Sequence, residues 1–466
     1  MADFETNNGE LEETPLDPQI RKAINVSIFE GAFYTGFFLL SQGFLLTSLG
    51  LYFNASELIL SLAFALPVAF QFFQLFTPFI LDRIKSRKKI VVVSSLISRL
   101  PWIVLAVAVS IGLRDAKLFL YMFMISQVAL TFAGNAWNSW IRGLVPENLR
   151  GRFFGIRNLG SSLVTIFATL LYSNILDAVV EPYNYLLVIS IGLIFGFLSL
   201  GLLTIQYEPP SRVFGALAGL KACLKDANFR KFMFYAFLWN FAIYVSAPYF
   251  TLYQIRFLKL SYSIIGFYSI LSGAVALPAY YIWGTTVDKY GSKVVAQIGI
   301  FTVSWLPFLW LFMAESTMRS LLPIDAITAG IGWAAVNLAV FSLAFEVAGF
   351  HSSAYFSLFF SSVAFGSIAG SLAGGYLGEI FVDKHFSFIG FDFEGIKLMF
   401  LTSGTLRIAS LFVLRKVKVR KYEKPRIVVQ AVLAAVGRKM IAVPRYAGQA
   451  VQSGIKKARE REKRSS

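Results

Sequence analysis

The 466-residue chain is 56% hydrophobic and only 15% charged, which gives it more apolar surface than a soluble globule could hide from water. Its formal charge of +17 is concentrated, because residues 415–466 hold 16 Lys and Arg against three Asp and Glu, a net +13; the basicity belongs to a tail and does not describe a nucleic-acid-binding body. Cys223 is the single cysteine and the histidines, His351 and His385, stand far apart, so no disulfide, no Cys/His metal site and no cofactor is expected.

Residues 1–22 form an acidic N-terminal tail. A cleaved signal peptide would carry basic residues there, so the first apolar segment is expected to be retained. Apolar runs long enough, at about 1.5 Å per residue, to cross about 30 Å of hydrocarbon then fall at 23–49, 56–81, 90–113, 116–143, 153–176 and 185–206. A polar linker, 207–231, contains Pro209 and Pro210. Six further runs follow at 232–255, 262–287, 294–315, 321–346, 353–381 and 396–414. The chain thus divides into an N-terminal half, 23–206, a C-terminal half, 232–414, and a basic tail, 415–466. The apolar stretch Ile427–Val436 in the tail is too short to span a bilayer. It is expected to lie on the membrane as an interfacial helix, with the surrounding cations meeting anionic lipid headgroups; a disordered tail is the alternative.

Basic residues crowd the connections that follow even-numbered runs, among them Arg83, Lys88, Arg142, Arg157, Lys225 and Lys231, and thin out in the others. That asymmetry predicts a multi-pass protein of the cell membrane with both termini in the cytoplasm.

The two halves share features at a nearly constant offset. Glu30 and Tyr34 match Asn240 and Tyr244, 210 residues on; Asp82-Arg83 matches Asp288-Lys289, 206 residues on; Asn135 matches Asn337, 202 residues on. Such spacing is how parallel repeats in transporters show themselves. Charges within spans are functional candidates by default. Glu30 and Arg99 fall at a similar depth, whereas Asp325, Glu346 and Arg407 lie closer to span ends, where solvent contact or snorkelling suffices. Glu30 sits in the apolar context Ile28-Phe29-Glu30-Gly31-Ala32-Phe33, a setting for reversible proton binding; a structural pair with Arg99 and an ordinary polar contact are the competing roles. Gln71 and Gln74 share a face of the second run, and Asn135, Asn138, Asn240 and Asn337 put amides at mid-span. With Tyr34 and Tyr244 they are candidates to line a solute cavity, bundle hydrogen bonds being the other use for them. Gly366, Gly370, Gly374 and Gly378 form a small-residue stripe expected to let a neighbouring helix approach closely.

At the end of the eighth run stands Gly284-Thr-Thr-Val-Asp288-Lys289-Tyr-Gly291-Ser-Lys293. This segment resembles the loop signature of the major facilitator superfamily. A second copy, Pro78-Phe-Ile-Leu-Asp82-Arg83-Ile-Lys85-Ser-Arg87-Lys88-Lys89, keeps the aspartate and cations but has Pro78 and Lys85 where the family prefers glycine. Arg142-Gly-Leu-Val-Pro146-Glu147-Asn-Leu-Arg150-Gly151-Arg152-Phe-Phe-Gly155 is similar to the family's connection between spans 4 and 5. The resemblance covers about residues 20–415. It implies an all-α integral membrane fold of twelve transmembrane helices in two pseudo-symmetric six-helix bundles, rocking about a central site. It also implies a cytoplasmic latch drawn from Asp82, Arg83, Arg87, Arg150, Arg152, Asp288, Lys289 and Lys293. Carboxylates near helix N-termini and guanidinium groups gain about 0.3–1 kcal/mol per contact, enough to bias two conformations.

The expected function is secondary transport of a small organic solute by alternating access, with proton coupling at Glu30 as one reading, by a monomer that needs no cofactor. No Gly-x-x-x-x-Gly-Lys-Ser/Thr phosphate loop occurs, which argues against an ATP-driven pump. The alternatives are a membrane-embedded lipid-modifying enzyme, for which no facing pair of carboxylates is evident, and a solute sensor on the same fold. Fold and motif do not fix which solute is carried.

Overall fold

The structure, a computed structural model, describes residues 18–434 apart from 77–79, 81–82, 147–149, 210–223, 349–351 and 389–390. Two compact units emerge, Met1–Ala216 with Ser261–Ser263, and Leu217–Leu260 with Ile264–Ser466.

The first unit contains α1 (Pro18–Phe38), α2 (Gly43–Tyr52), α3 (Glu57–Ala69), a 3-10 segment at Phe70–Phe76, α4 (Arg87–Ser110), α5 (Ala116–Leu144), α6 (Arg150–Ala178) and α7 (Tyr183–Ile205). Starts follow capping chemistry. Ser56 accepts from the Ile59 N–H, Ser86 from Lys89, and Asp115 from Lys117 and Leu118, each satisfying donors that a helix start leaves orphaned. Helix α1 packs against α6 and α7, and α4 against α5 and α7. Apolar side chains cover both faces of α4: Ile90, Val91, Trp102, Leu105 and Val109 are buried, while Val93, Ile97, Leu100, Val104 and Val107 are exposed. A helix apolar all round belongs in hydrocarbon.

The second unit contains α8 (Ala227–Tyr244), α9 (Tyr249–Arg256), α10 (Tyr262–Tyr290, whose first two residues group with the first unit), α11 (Ser292–Ser304), α12 (Leu306–Leu311), α13 (Met318–Ala348), α14 (Ser352–Phe381), a hairpin of β1 (His385–Phe388) and β2 (Phe391–Glu394), α15 (Lys397–Arg415) and a short apolar helix α16 (Pro425–Ala434). Its core gathers Phe232, Tyr235, Trp239, Trp283, Ile300 and Leu343. The glycine stripe of α14 lies on the backbone of α8. A Cβ at Gly366, Gly370 or Gly374 would come within 3.0, 2.9 and 2.8 Å of the carbonyl carbons of Phe237, Phe241 and Val245. The Tyr249 hydroxyl donates to the Gly374 carbonyl at 2.8 Å, pinning the far end of the same contact.

Among the described residues ten helices are long and apolar enough to cross a membrane. Two of the twelve expected runs are built differently. Run 56–81 is a 13-residue α-helix that tightens into 3-10 geometry at Phe70, and run 232–255 is cut at 245–248, before Pro248, into helices of 18 and eight residues. The first run is likewise interrupted between Phe38 and Gly43, where Gly43 takes φ +54°, a conformation that favours glycine. The hairpin at 385–394 had no counterpart among the expected elements.

Candidate functional site

The Glu30–Gly31 step of α1 decides the geometry of the first unit. Gly31 has no side chain, and the Arg157 guanidinium from α6 occupies that space; a Cβ there would lie 2.5 Å from its central carbon. From this position Arg157 Nη2 donates to Glu30 Oε2 at 3.3 Å, and Ser199 Oγ of α7 donates to Glu30 Oε1 at 3.0 Å. Glu30 is 3% exposed. The Arg157 guanidinium also stacks over the Trp137 ring of α5, 4.3 Å from its centroid. Neighbouring bonds close α1 onto α6: Ser161 Oγ donates to the Gly31 carbonyl at 3.3 Å and the Tyr172 hydroxyl to Gly36 at 2.9 Å.

A cavity of about 190 Å³ opens beside this pair, lined by Glu30, Tyr34, Ser95, Trp137, Asn138 and Arg157 together with apolar residues of α4, α5 and α7. All of its lining comes from the first unit.

Arg99 is not the partner of Glu30. Its Nη1 donates to the Ser95 carbonyl at 2.7 Å and the Ser98 hydroxyl at 2.9 Å, its Nε donates to the Gly196 carbonyl at 3.2 Å, and its guanidinium lies 4.9 Å from the Phe37 ring centroid. It is fully buried and near enough to act electrostatically on Glu30 and Tyr34. Equal depth on two helices brought the side chains close without making them face each other. Arg157, which carries the actual contact, falls in the sequence among the cations of an inside connection. The adjoining Gly31 was the available signal that a bulky side chain enters there.

Among the other candidates, Tyr34 lines the cavity beside Glu30. Tyr34 stacks on Phe38 at 5.5 Å, Asn135 is half-buried on α5, and Gln71 lies in the 3-10 segment; the side chain of Gln74 lies outside the described residues. Asn240 Nδ2 donates to its own helix at Ala236, 2.9 Å away, Tyr244 is half-buried, and Asn337 is exposed on α13.

The latch set falls only partly within the described residues. Asp82 and the side chains of Arg150 and Arg152 lie outside them, and Arg83 is exposed. At the start of α4, Glu208 supplies the carboxylate: its Oε1 accepts from the Arg87 backbone N–H at 2.6 Å and its Oε2 from Ser86 Oγ at 2.7 Å. Lys293 is turned inward as a clamp for the chain after α15, its ammonium donating to the Arg415 and Val417 carbonyls at 2.9 and 2.7 Å. Lys289 lies 5.2 Å from the Tyr290 ring, and it is the backbone carbonyl of Asp288 that accepts from Lys421 Nζ. Glu346 is a bundle contact as well, accepting from Ser292 Oγ at 2.6 Å and from the Arg420 N–H at 2.9 Å.

Arg407 also departs from expectation. It does not snorkel: it is 2% exposed, donates to the Val303 carbonyl at 3.1 Å, and stands 5.9 Å from the ring centroids of both Phe250 and Trp333. Asp325 accepts from Trp310 Nε1 at 2.8 Å.

Membrane-length apolar helices surrounding a buried, charged cavity make this a multi-pass membrane protein. The family model of the Major Facilitator Superfamily matches residues 26–371, and the chain belongs to that family. It is therefore a transporter and not an enzyme, of a family whose members bind small molecules and typically work by alternating access. In fold it is similar to the nucleoside transporter NupG (TM-score 0.64, 14% identity, 86% of this chain and 99% of that one). It is also similar to a D-xylose-proton symporter (0.65, 14%, 86% and 98%) and to a bacterial metal transporter (0.57, 13%, 87% and 100%). No curated protein matches the chain by sequence.

Proposed function

We propose that the chain is a secondary transporter that moves a small organic solute across the cell membrane by alternating access, acting as a monomer. In this reading twelve spans form two six-helix bundles, 23–206 and 232–414, joined by the linker 207–231, with both termini cytoplasmic and the tail against anionic headgroups. The two non-qualifying runs are then interrupted spans, and the basic-residue asymmetry supports the orientation. Reporters fused after Ser466 and into residues 210–223 should both read cytoplasmic; an external signal from either overturns the span count.

The observation that carries the reading is a carboxylate buried in the wall of an intramembrane cavity whose direct ion-pair partner, among the described residues, is Arg157. Buried charge in a bundle marks solute and proton pathways, and Glu30 is the group proposed to couple a proton to transport. Glu30→Gln keeps the shape and the Ser199 contact while removing the ionisable group. In sealed liposomes the variant is expected to fold and to exchange solute downhill, but to lose accumulation driven by a pH gradient. Uphill transport by Glu30→Gln eliminates the coupling role. A variant that folds only when Arg157 is also neutralised marks the pair as structural, and ligand binding without flux marks a sensor.

A further inference from the structure

The polar atoms around the Glu30 cavity are unevenly matched. Among the residues that line it, the buried side-chain atoms left without a hydrogen-bond partner in the described structure are Arg157 Nε and Trp137 Nε1, both donors. Arg99 Nη2, fully buried within electrostatic reach of Glu30, is likewise unpartnered and likewise a donor. The charges are uneven in the same sense. The groups acting on Glu30 are Arg157 from α6, Arg99 from α4 and the Ser199 hydroxyl from α7, so among the described residues two cations stand against one carboxylate.

A buried donor left unsatisfied costs about 1–3 kcal/mol, and more when it is charged. The complement of this site is therefore an acceptor with negative charge. Arg157 is poised for one, because its sole direct salt-bridge contact to Glu30, at 3.3 Å, is long against the roughly 2.7–2.9 Å of a charge-assisted bond, and its planar fork matches an oxyanion through two parallel N–H groups.

We propose that the solute is a small organic anion whose oxyanion group is received by the Arg157 fork, with the Trp137 N–H as a second donor. The inference rests on the transport reading above and specifies its substrate class. Glu30 and the solute then compete for one guanidinium. A proton on Glu30 ends its claim on Arg157 and leaves the carboxyl group still able to bond Ser199, so proton and anion favour each other's binding, reciprocally, as linkage demands. The cluster carries the same net charge in both loaded and empty states, Glu30⁻ with Arg157⁺ when empty, and neutral Glu30 with Arg157⁺ and a monoanion when loaded. One proton moves with one monoanion and no net charge crosses.

The test uses the full chain in sealed liposomes with radiolabelled lactate, benzoate and glycerol phosphate as anions, xylose and uridine as neutral probes, and choline as a cation. Saturable flux is expected for at least one anion and for neither neutral nor cationic probes, and the carboxylate and phosphate arms tell the two oxyanions apart. Thermal shifts with the transported anion should show wild-type affinity rising as pH falls, and affinity independent of pH in Glu30→Gln. Arg157→Lys keeps the charge but loses the fork, so the half-saturating anion concentration should rise about tenfold or more while the protein stays folded. Saturable flux of xylose, uridine or choline without any anion overturns the anion assignment and leaves the transport reading standing. An absence of saturable flux for every probe overturns both, and unchanged anion affinity in Arg157→Lys overturns the role of the fork.

Discussion

Each unit holds an acid and a buried arginine, yet the two clusters are built for different ends. In the second unit Asp325 is held by Trp310 Nε1, and Arg407 by the Val303 carbonyl between the rings of Phe250 and Trp333. One Arg407 nitrogen lacks a partner there, but the aromatic faces around it supply cation–π attraction, and acid and base balance one for one. In the first unit the arginines outnumber the acid, and Arg157 and Trp137 stand on the wall of a cavity with donors still unmatched. Buried charge by itself thus separates nothing; cavity, charge surplus and unmatched donors together do.

The same contrast runs through the glycines and gives the largest expected effect. Gly374 faces the backbone of Val245, just past the end of α8, whereas Gly134, on the wall of the Glu30 cavity, has nothing within 4 Å of where its Cβ would stand. Gly374→Ala should force α8 and α14 apart. Overpacking costs about 1–3 kcal/mol and more against backbone, outweighing the roughly 1 kcal/mol that Ala gains over Gly in a helix. Thermal unfolding in detergent should show Gly374→Ala markedly less stable than wild type and Gly134→Ala equal or slightly more stable. The comparison breaks if Gly134→Ala is the more damaging of the two.

Much of the fold was legible because lipid imposes a length. An apolar run near twenty residues reads as a span whatever its partners, and ten of the helices follow that rule. The interruptions were harder to see. Val245–Pro248 and the Gly43 corner occur within long apolar runs, where a few small or polar residues, a proline and a glycine mark them. The hairpin was written in the alternation of His385-Phe-Ser-Phe388 and Phe391-Asp-Phe-Glu394, but it is too short to stand out beside membrane-length helices. At the site, Glu30 was legible by type and Tyr34 by its helical turn from it. The partner was not, because depth is a one-dimensional coordinate and contact also requires that two helix faces turn toward each other. Arg99 has the depth but points to the Gly196 carbonyl; Arg157, seven residues beyond Arg150, was hidden in a cluster of cations that the inside connection explained too easily. The neighbours of the latch residues were hidden for a related reason. The motif supplies the cations, but Glu208 and the chain after α15 supply their neighbours, and neither belongs to it.

The smallest expected effect sharpens the comparison most. Asp325→Asn retains an oxygen for Trp310 Nε1 and removes one negative charge from beside Arg407. If the second cluster is structural, the loss is that of one charge-assisted bond exchanged for a neutral one in a half-buried setting, about 1 kcal/mol, read as a small drop in thermal stability. Transport should be untouched: downhill exchange and accumulation driven by a pH gradient should both match wild type, unlike Glu30→Gln, which is expected to lose the second and keep the first. Arg407 provides the control, since Arg407→Met removes a fully buried guanidinium with its bond to the Val303 carbonyl and its aromatic contacts, and should destabilise the fold by more than Asp325→Asn does. Loss of gradient-driven accumulation in Asp325→Asn, with stability intact, would instead make the second unit's acid a coupling group. The contrast between a filled and an unfilled cluster would then no longer mark where the proton binds.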